Sequence, residues 1–233
     1  MITIKISQDV FNKSLQYGFE KAMQGTTGRK VNAKSIHQLT TKYMAQYHDP
    51  EKAIKALVNQ SRLLTATTGA VTNFGGLLTI PVSLPTELVT TLFVNIRVIG
   101  SIAYLRGYEL TDPKVRALML AALAGNSGID HFKQALIKSS TRYLQGRLNQ
   151  AFFDKVTAQL SHFLFKQFSI NAATATVKII PVVSAAIGGV TEAISTTAVA
   201  KAADAVFKPE GLQFGDRLIS RQELLTEQTK NQD

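Results

Sequence analysis

The 233-residue sequence predicts an all-α fold, a multi-helix bundle around a buried apolar central helix over about 86–107. A small-residue-rich helical segment over about 181–206 is expected to complete it. Three observations point there. Apolar residues recur at spacings of three and four along most of the chain, and sustained strict alternation is missing. Asp49-Pro50, Pro85 and Asp112-Pro113 are helix-start signals, because Asp accepts from free amides and Pro at the first position has no N–H to lose. The composition is 45% apolar and only 18% charged, below the roughly 25% charge of an average globular chain.

The elements follow in order. A first helix is expected from Gln8 to Met23, with Val10, Phe11, Leu15, Gly18, Phe19 and Met23 on one side. The glycines of "QGTTGRK" end it, and a second helix runs from about Ala33 to Tyr47. Asp49-Pro50 starts a third, with Ile54, Leu57, Val58, Leu63 and Leu64 apolar, ending near Gly69. "FGGLLTIPVSLP" is the main punctuation, since Pro81 and Pro85 push the residues before them out of helical geometry. Pro85 then opens the central helix, and Asp112-Pro113 a capped amphipathic helix ending near Gly125. "GNSG" reads as a loop, with Ile129 starting the next helical region, bent near Gly146. Beyond it Leu148, Phe152, Val156, Leu160, Leu164 and Phe168 fall every four residues. That spacing winds about 40° per step around a helix, which suits a long helix crossing several neighbours. Asn171 to Lys178 reads as a break, and Pro181 restarts the small-residue segment, where Ser184, Ala185, Gly188, Gly189 and Ala193 permit close helix approach. The organisation expected is one helical domain over 1–208 and a polar tail over 209–233. No internal repeat is evident.

Charge is distributed unevenly. Residues 1–65 hold ten Lys/Arg against four Asp/Glu, 66–110 two against two, 111–178 nine against three, and 179–233 five against seven. Two basic regions therefore flank a neutral apolar one, within a net charge of +10. An anionic partner is the reading this favours, and anionic membrane lipid or fatty acid suits it better than nucleic acid. The chain has no Trp, no basic run, no zinc-finger spacing and no aromatic–basic interleaving of the kind that stacks bases. It has no Cys, which removes disulfides, thiolate nucleophiles and Cys-ligated metals. "MITIKISQDVFNKSLQ" lacks an apolar core of signal-peptide length, so a cytoplasmic protein, peripheral at the inner face of the membrane, is expected.

On a helical wheel Glu87, Thr90, Thr91, Arg97, Ser101 and Tyr104 share one side of the central helix, and apolar residues fill the rest. A helix apolar nearly all round lies in a core or in lipid. Leu88 to Leu105 is 18 residues, against the ~20 that a span needs. A central arginine costs ~2.5–3.5 kcal/mol on insertion. Both numbers favour burial inside a bundle, with Arg97 paired to a carboxylate such as Glu87 or one from another helix.

Groups arranged for chemistry are sparse in the sequence. The four histidines, His37, His48, His131 and His162, form no HExxH and no i, i+4 pair. Asp130-His131 is the best polar cluster, expected to cap the helix after "GNSG" rather than to catalyse. No nucleophile elbow, phosphate loop or dinucleotide fingerprint occurs, and no cofactor or metal is expected. Candidate binding residues are Arg97, Glu87 and Tyr104 on the polar stripe, with Lys138, Arg142 and Arg147 in the second basic region. The function expected is non-enzymatic, at a membrane surface, binding anionic lipid or acyl chains. The alternatives are a soluble adaptor of a membrane transporter working by protein contacts, and an enzyme acting on lipid or another apolar substrate.

Two stretches resemble the EcsC protein family: "GGLLTIPVSLPTELVTTLFVNIRVIGSIAYLRGYELTDPKVR" and "KIIPVVSAAIGGVTEAISTTAVAKAADAVF". The family pattern is a Gly-Gly turn, an apolar stretch ending in Leu-Pro, and an apolar helix with a central Arg and an Ile-Ala pair. A Tyr-Gly or similar turn and an Asp-Pro-start helix follow. Gly75, Gly76, Leu84, Pro85, Arg97, Ile102, Ala103, Gly107, Tyr108, Asp112 and Pro113 match it, as do Pro181, Gly188, Gly189, Ala202 and Phe207 near the end. Many members carry Asp before Leu-Pro, where Ser83 stands here, so no role for that carboxylate carries over. The resemblance covers about 50–207. It implies a helical, membrane-associated or membrane-partnered bacterial protein, the founding member being encoded beside the two components of an ABC transporter. It supplies no catalytic residues.

Overall fold

The structure, a computed structural model, describes residues 6–27, 32–68, 80–143, 150–174, 195–214 and 217–220. Helix α1 spans Gln8–Gln24, α2 Ile36–Tyr47, α3 Pro50–Thr68 and α4 Thr86–Leu105. Then come α5, Pro113–Leu123; α6, Gly125–Tyr143; α7, Gln150–Thr174; and α8, Thr196–Val206. Two antiparallel ribbons accompany the helices. β1 (Thr26–Thr27) pairs with β2 (Asn32–Ala33), and β3 (Gly211–Phe214) with β4 (Arg217–Ser220), Gly211 opposite Ser220. The fold is all-α, as predicted. The β3–β4 ribbon lies within the stretch read as a polar tail.

Local chemistry sets the helix ends. Ser7 Oγ accepts from the Val10 amide at 3.2 Å and starts α1. Ser35 and Gln38 form a reciprocal capping box on α2, each side chain accepting from the other's amide. Asp49 Oδ1 accepts from the Lys52 amide at 2.7 Å beside Pro50, and Asp112 Oδ1 from the Lys114 amide at 2.8 Å beside Pro113. Both Asp-Pro signals thus act as read. Pro81 to Leu84 forms a turn closed by the Leu84 amide on the Pro81 carbonyl, 2.9 Å, and α4 begins directly after Pro85.

Helix α4 is the centre. Leu88–Leu105 is long and apolar enough to cross a membrane, and 89% of it lies inside the bundle. It packs on α1 most extensively, then on α8, α2, α3 and α5. Leu92, Phe93, Ile96, Ile99, Ile102 and Ala103 are fully buried, each large side chain worth about 1.5–3 kcal/mol of transfer free energy. The α1 face meeting it is the predicted one, with Phe11, Leu15, Gly18 and Phe19 buried and Val10 and Met23 at its margin.

Two expectations need correcting. Helix α5 is not amphipathic: Val115 and Ala117 to Leu123 are buried on every side, because α4, α6, α7 and α8 all pack around it. Only Arg116 is exposed along it. "GNSG" is not a loop either, since α6 begins at Gly125 and runs through it. A Cβ at Gly128 would stand 2.5 Å from the Ala121 carbonyl oxygen and 2.3 Å from Ala124 Cβ. The glycine that reads as a helix breaker is what lets α6 turn tightly against α5. In consequence Asp130 lies in the second turn of α6 and caps nothing there.

Helix α7 carries the fourfold stripe as predicted, with Phe152, Val156, Leu160 and Leu164 buried and Phe168 at the core's edge. Leu148 and Gly146 lie outside the described residues. The break expected from Asn171 is not seen to Thr174, where α7 continues. Of the small-residue segment, residues 196–206 form α8, with Ser195 Oγ accepting from the Ala198 amide at 3.1 Å; 181–194 lie outside the described residues. Ala200, Ala202 and Ala203 keep α8 slim where it meets α4 and α5.

Candidate functional site

From Thr90 to Ser101 the polar stripe of α4 is buried or partly buried, and at Tyr104 it reaches solvent. Thr90 and Ser101 are fully buried, Arg97 is partly buried, and Tyr104 is exposed. Helix α2 faces this stripe. His37 meets the Tyr104 ring edge-on at 5.5 Å, and Tyr43 lies close enough to Arg97 for each to perturb the other's ionisation. Tyr43 in turn donates to Gln60 Oε1 on α3 and stacks on Tyr47 at 6.1 Å.

Arg97 is the unusual member. Its guanidinium carbon stands 5.8 Å from the centroid of the Phe93 ring, a cation–π contact. Among the described residues its buried Nε has no hydrogen-bond partner, and no carboxylate pairs with it. Burial pulls the guanidinium down to about 10, and the nearby Tyr43 only partly opposes this. It is still a cation at neutral pH, set beside rings rather than counter-ions. The Glu87 side chain proposed as its partner lies outside the described residues, although Glu87 itself is in the first turn of α4.

The stripe's hydroxyls share this condition. Ser14, Thr40 and Ser61, on other helices, each donate to the carbonyl four residues back at 2.7–2.9 Å. Thr90 Oγ1 and Ser101 Oγ make no hydrogen bond among the described residues. Three of the four buried polar side-chain atoms without a partner among the described residues therefore lie on one stripe, the fourth being Gln167 Oε1.

A second charged centre, unforeseen in the sequence, is fully satisfied. Arg106 caps the end of α4, and all five of its N–H donors are used. Nε and Nη2 meet the two oxygens of Glu51 at 2.9 Å each, and Nη2 also meets Asp204 Oδ1 at 2.6 Å. Nη1 meets the carbonyls of Asp204 at 3.1 Å and Phe207 at 2.8 Å, which terminate α8. Burial works against this charge, but Glu51 and Asp204 outweigh it and hold the guanidinium above its ordinary value. Beside it Gly107, at φ 76, completes a Schellman turn: its amide reaches the Tyr104 carbonyl, and the Tyr108 amide the Ala103 carbonyl. The buried Tyr108 ring meets Phe207 at 5.2 Å, and its hydroxyl donates to the Lys208 carbonyl at 2.8 Å. Arginine, glycine and tyrosine here lock α3, α4 and α8 together. Their role is structural.

The α2–α3 hairpin presents the clearest basic surface. Lys34, Lys42, Lys52, Lys55 and Arg62 are exposed. Its two acids are diverted, Asp49 to the Lys52 amide and Glu51 to Arg106. At 100° per residue Lys52, Lys55 and Arg62 fall within about 80° on α3. Of the basic candidates elsewhere, Lys138 and Arg142 lie on α6 with side chains outside the described residues, and Arg147 lies wholly outside them. The structure thus brings Arg97 and Tyr104 to one stripe. His131 stacks on Phe163 at 5.2 Å, and the exposed Asp130 beside it has no acid–base partner among the described residues. No group of three His, Cys, Asp or Glu among the described residues could hold a metal.

Residues 2–209 match the EcsC protein family. The chain belongs to the EcsC protein family. The match reaches α1 and α2, beyond the residues 50–207 that carried the resemblance. The EcsC landmarks Gly107, Tyr108 and Phe207 meet at the α4–α8 joint and Ala202 is buried on α8, which accounts for them as determinants of fold. Arg97, the family's central arginine, has no such structural account. Neither the curated proteins nor the solved structures include a match to this chain.

Proposed function

We propose that this EcsC-family chain is a non-enzymatic helical protein working at the cytoplasmic face of a membrane, where it binds anionic lipid. The observation that carries the reading is the α2–α3 hairpin, whose exposed Lys34, Lys42, Lys52 and Lys55 stand beside carboxylates already engaged. A cation near an anionic leaflet contributes ~1 kcal/mol, so Lys52 and Lys55 on one face of α3 supply ~2 kcal/mol, roughly thirtyfold in partitioning. That suffices for reversible peripheral binding and requires no helix to leave the bundle.

Flotation with vesicles of graded phosphatidylglycerol content tests it. Binding should rise with anionic fraction, fall with salt, and drop at least tenfold in the double variant K52E/K55E. Binding indifferent to charge and salt removes the mechanism. Co-purification with a membrane complex, together with no affinity for bare vesicles, moves the function to a transporter adaptor instead.

A further inference from the structure

We infer that Arg97 is the receptor for the anionic head of one amphiphile, a carboxylate or phosphate group carried on an apolar tail, bound where α2 faces the polar stripe of α4. The inference deepens the membrane reading by naming a ligand class and a site, and it rests on separate residues.

The geometry supports it at three points. A partly buried guanidinium with an idle Nε has, among the described residues, none of the counter-charge that such a position ordinarily requires. Four residues on, Ser101 offers a buried hydroxyl that ignores its own helix carbonyl, about 6 Å farther along the axis and within about 40° of Arg97. Phe93 lies against the cation on α4, and Tyr43 of α2, stacked on Tyr47, is near enough to act on its charge. A bare inorganic anion would shed its water there with little to replace it. An anion on an apolar tail recovers that loss by burying the tail. Arg106, at the end of the same helix, shows the contrast: paired on every donor, it has no valence left for a ligand.

Calorimetric titration of the full, delipidated chain tests it with three probes: monomeric oleate, dioleoylphosphatidylglycerol vesicles and inorganic phosphate. Oleate should bind once per chain, at least tenfold more weakly in R97Q, and phosphate should not bind measurably. R97K keeps the charge without the Nε donor and should fall between; if R97Q fails to fold by circular dichroism, several-fold weakening in R97K decides. Arg97-dependent binding of vesicles without uptake of oleate supports the same receptor with phospholipid as the source. No uptake of either lipid, affinity unchanged in the Arg97 variants, or phosphate binding as tightly as oleate overturns the inference. The K52E/K55E variant should lose vesicles and keep oleate. Wild-type protein that ignores vesicles in flotation yet takes up oleate through Arg97 removes the membrane reading and leaves this one standing.

Discussion

Replacing Arg97 by methionine should stabilise the ligand-free protein. Burial lowers the Arg97 guanidinium to about 10, roughly two to three orders of magnitude in acidity, so holding the charge there costs about 3 kcal/mol. Methionine keeps much of the stem's apolar packing, adapts to an irregular site and removes the charge. It forfeits the contact with Phe93, worth about 0.5–1 kcal/mol. The net expectation is a gain of about 2 kcal/mol, or a Tm higher by roughly 4–8 °C for a chain of this size. Urea unfolding of delipidated wild type and R97M, with m-values compared, measures it directly. An R97M variant less stable by 2 kcal/mol or more would refute the reasoning, because Arg97 would then have a favourable partner within the protein. Saturating anionic amphiphile should reverse the order by stabilising wild type alone.

Three further outcomes follow from the packing. Arg106→Leu leaves two α8 carbonyls and two half-exposed carboxylates without their donor, and should lower unfolding free energy by about 2–4 kcal/mol, with hydrogen exchange rising first in α8. Gly128→Ala drives a Cβ onto the Ala121 carbonyl and should cost about 3 kcal/mol by the same unfolding assay, an unusually large penalty for adding one methyl. Asp112→Ala removes the α5 cap and should cost about 1 kcal/mol, with Asp112→Asn restoring most of it.

The limits of sequence legibility are physical. The start of α4 after Pro85 and both Asp-Pro caps were legible because proline and aspartate act on amides within three or four residues. The winding stripe of α7 was legible for a similar reason, being a property of one helix. Arg106 was not, since Glu51 and Asp204 stand 55 and 98 positions away and only the assembled bundle joins them. "GNSG" misled because glycine lowers helix propensity locally, whereas its missing Cβ is an advantage once α5 is in contact. The burial of α5 left a signal that a capping reading passes over: after Arg116 the helix holds no charged or polar side chain. For the candidate site, the stripe of Arg97, Ser101 and Tyr104 was visible on a wheel. That Arg97 lacks a carboxylate among the described residues was not, because an amphipathic pattern says which side a residue faces and nothing about what meets it there.

The most direct measurement is native mass spectrometry of the protein purified without added lipid or detergent. Wild type should carry one anionic amphiphile per chain, and R97M should fly bare. Wild type that is equally bare, while remaining folded and no less stable than R97M, would contradict the assignment of Arg97 as a receptor.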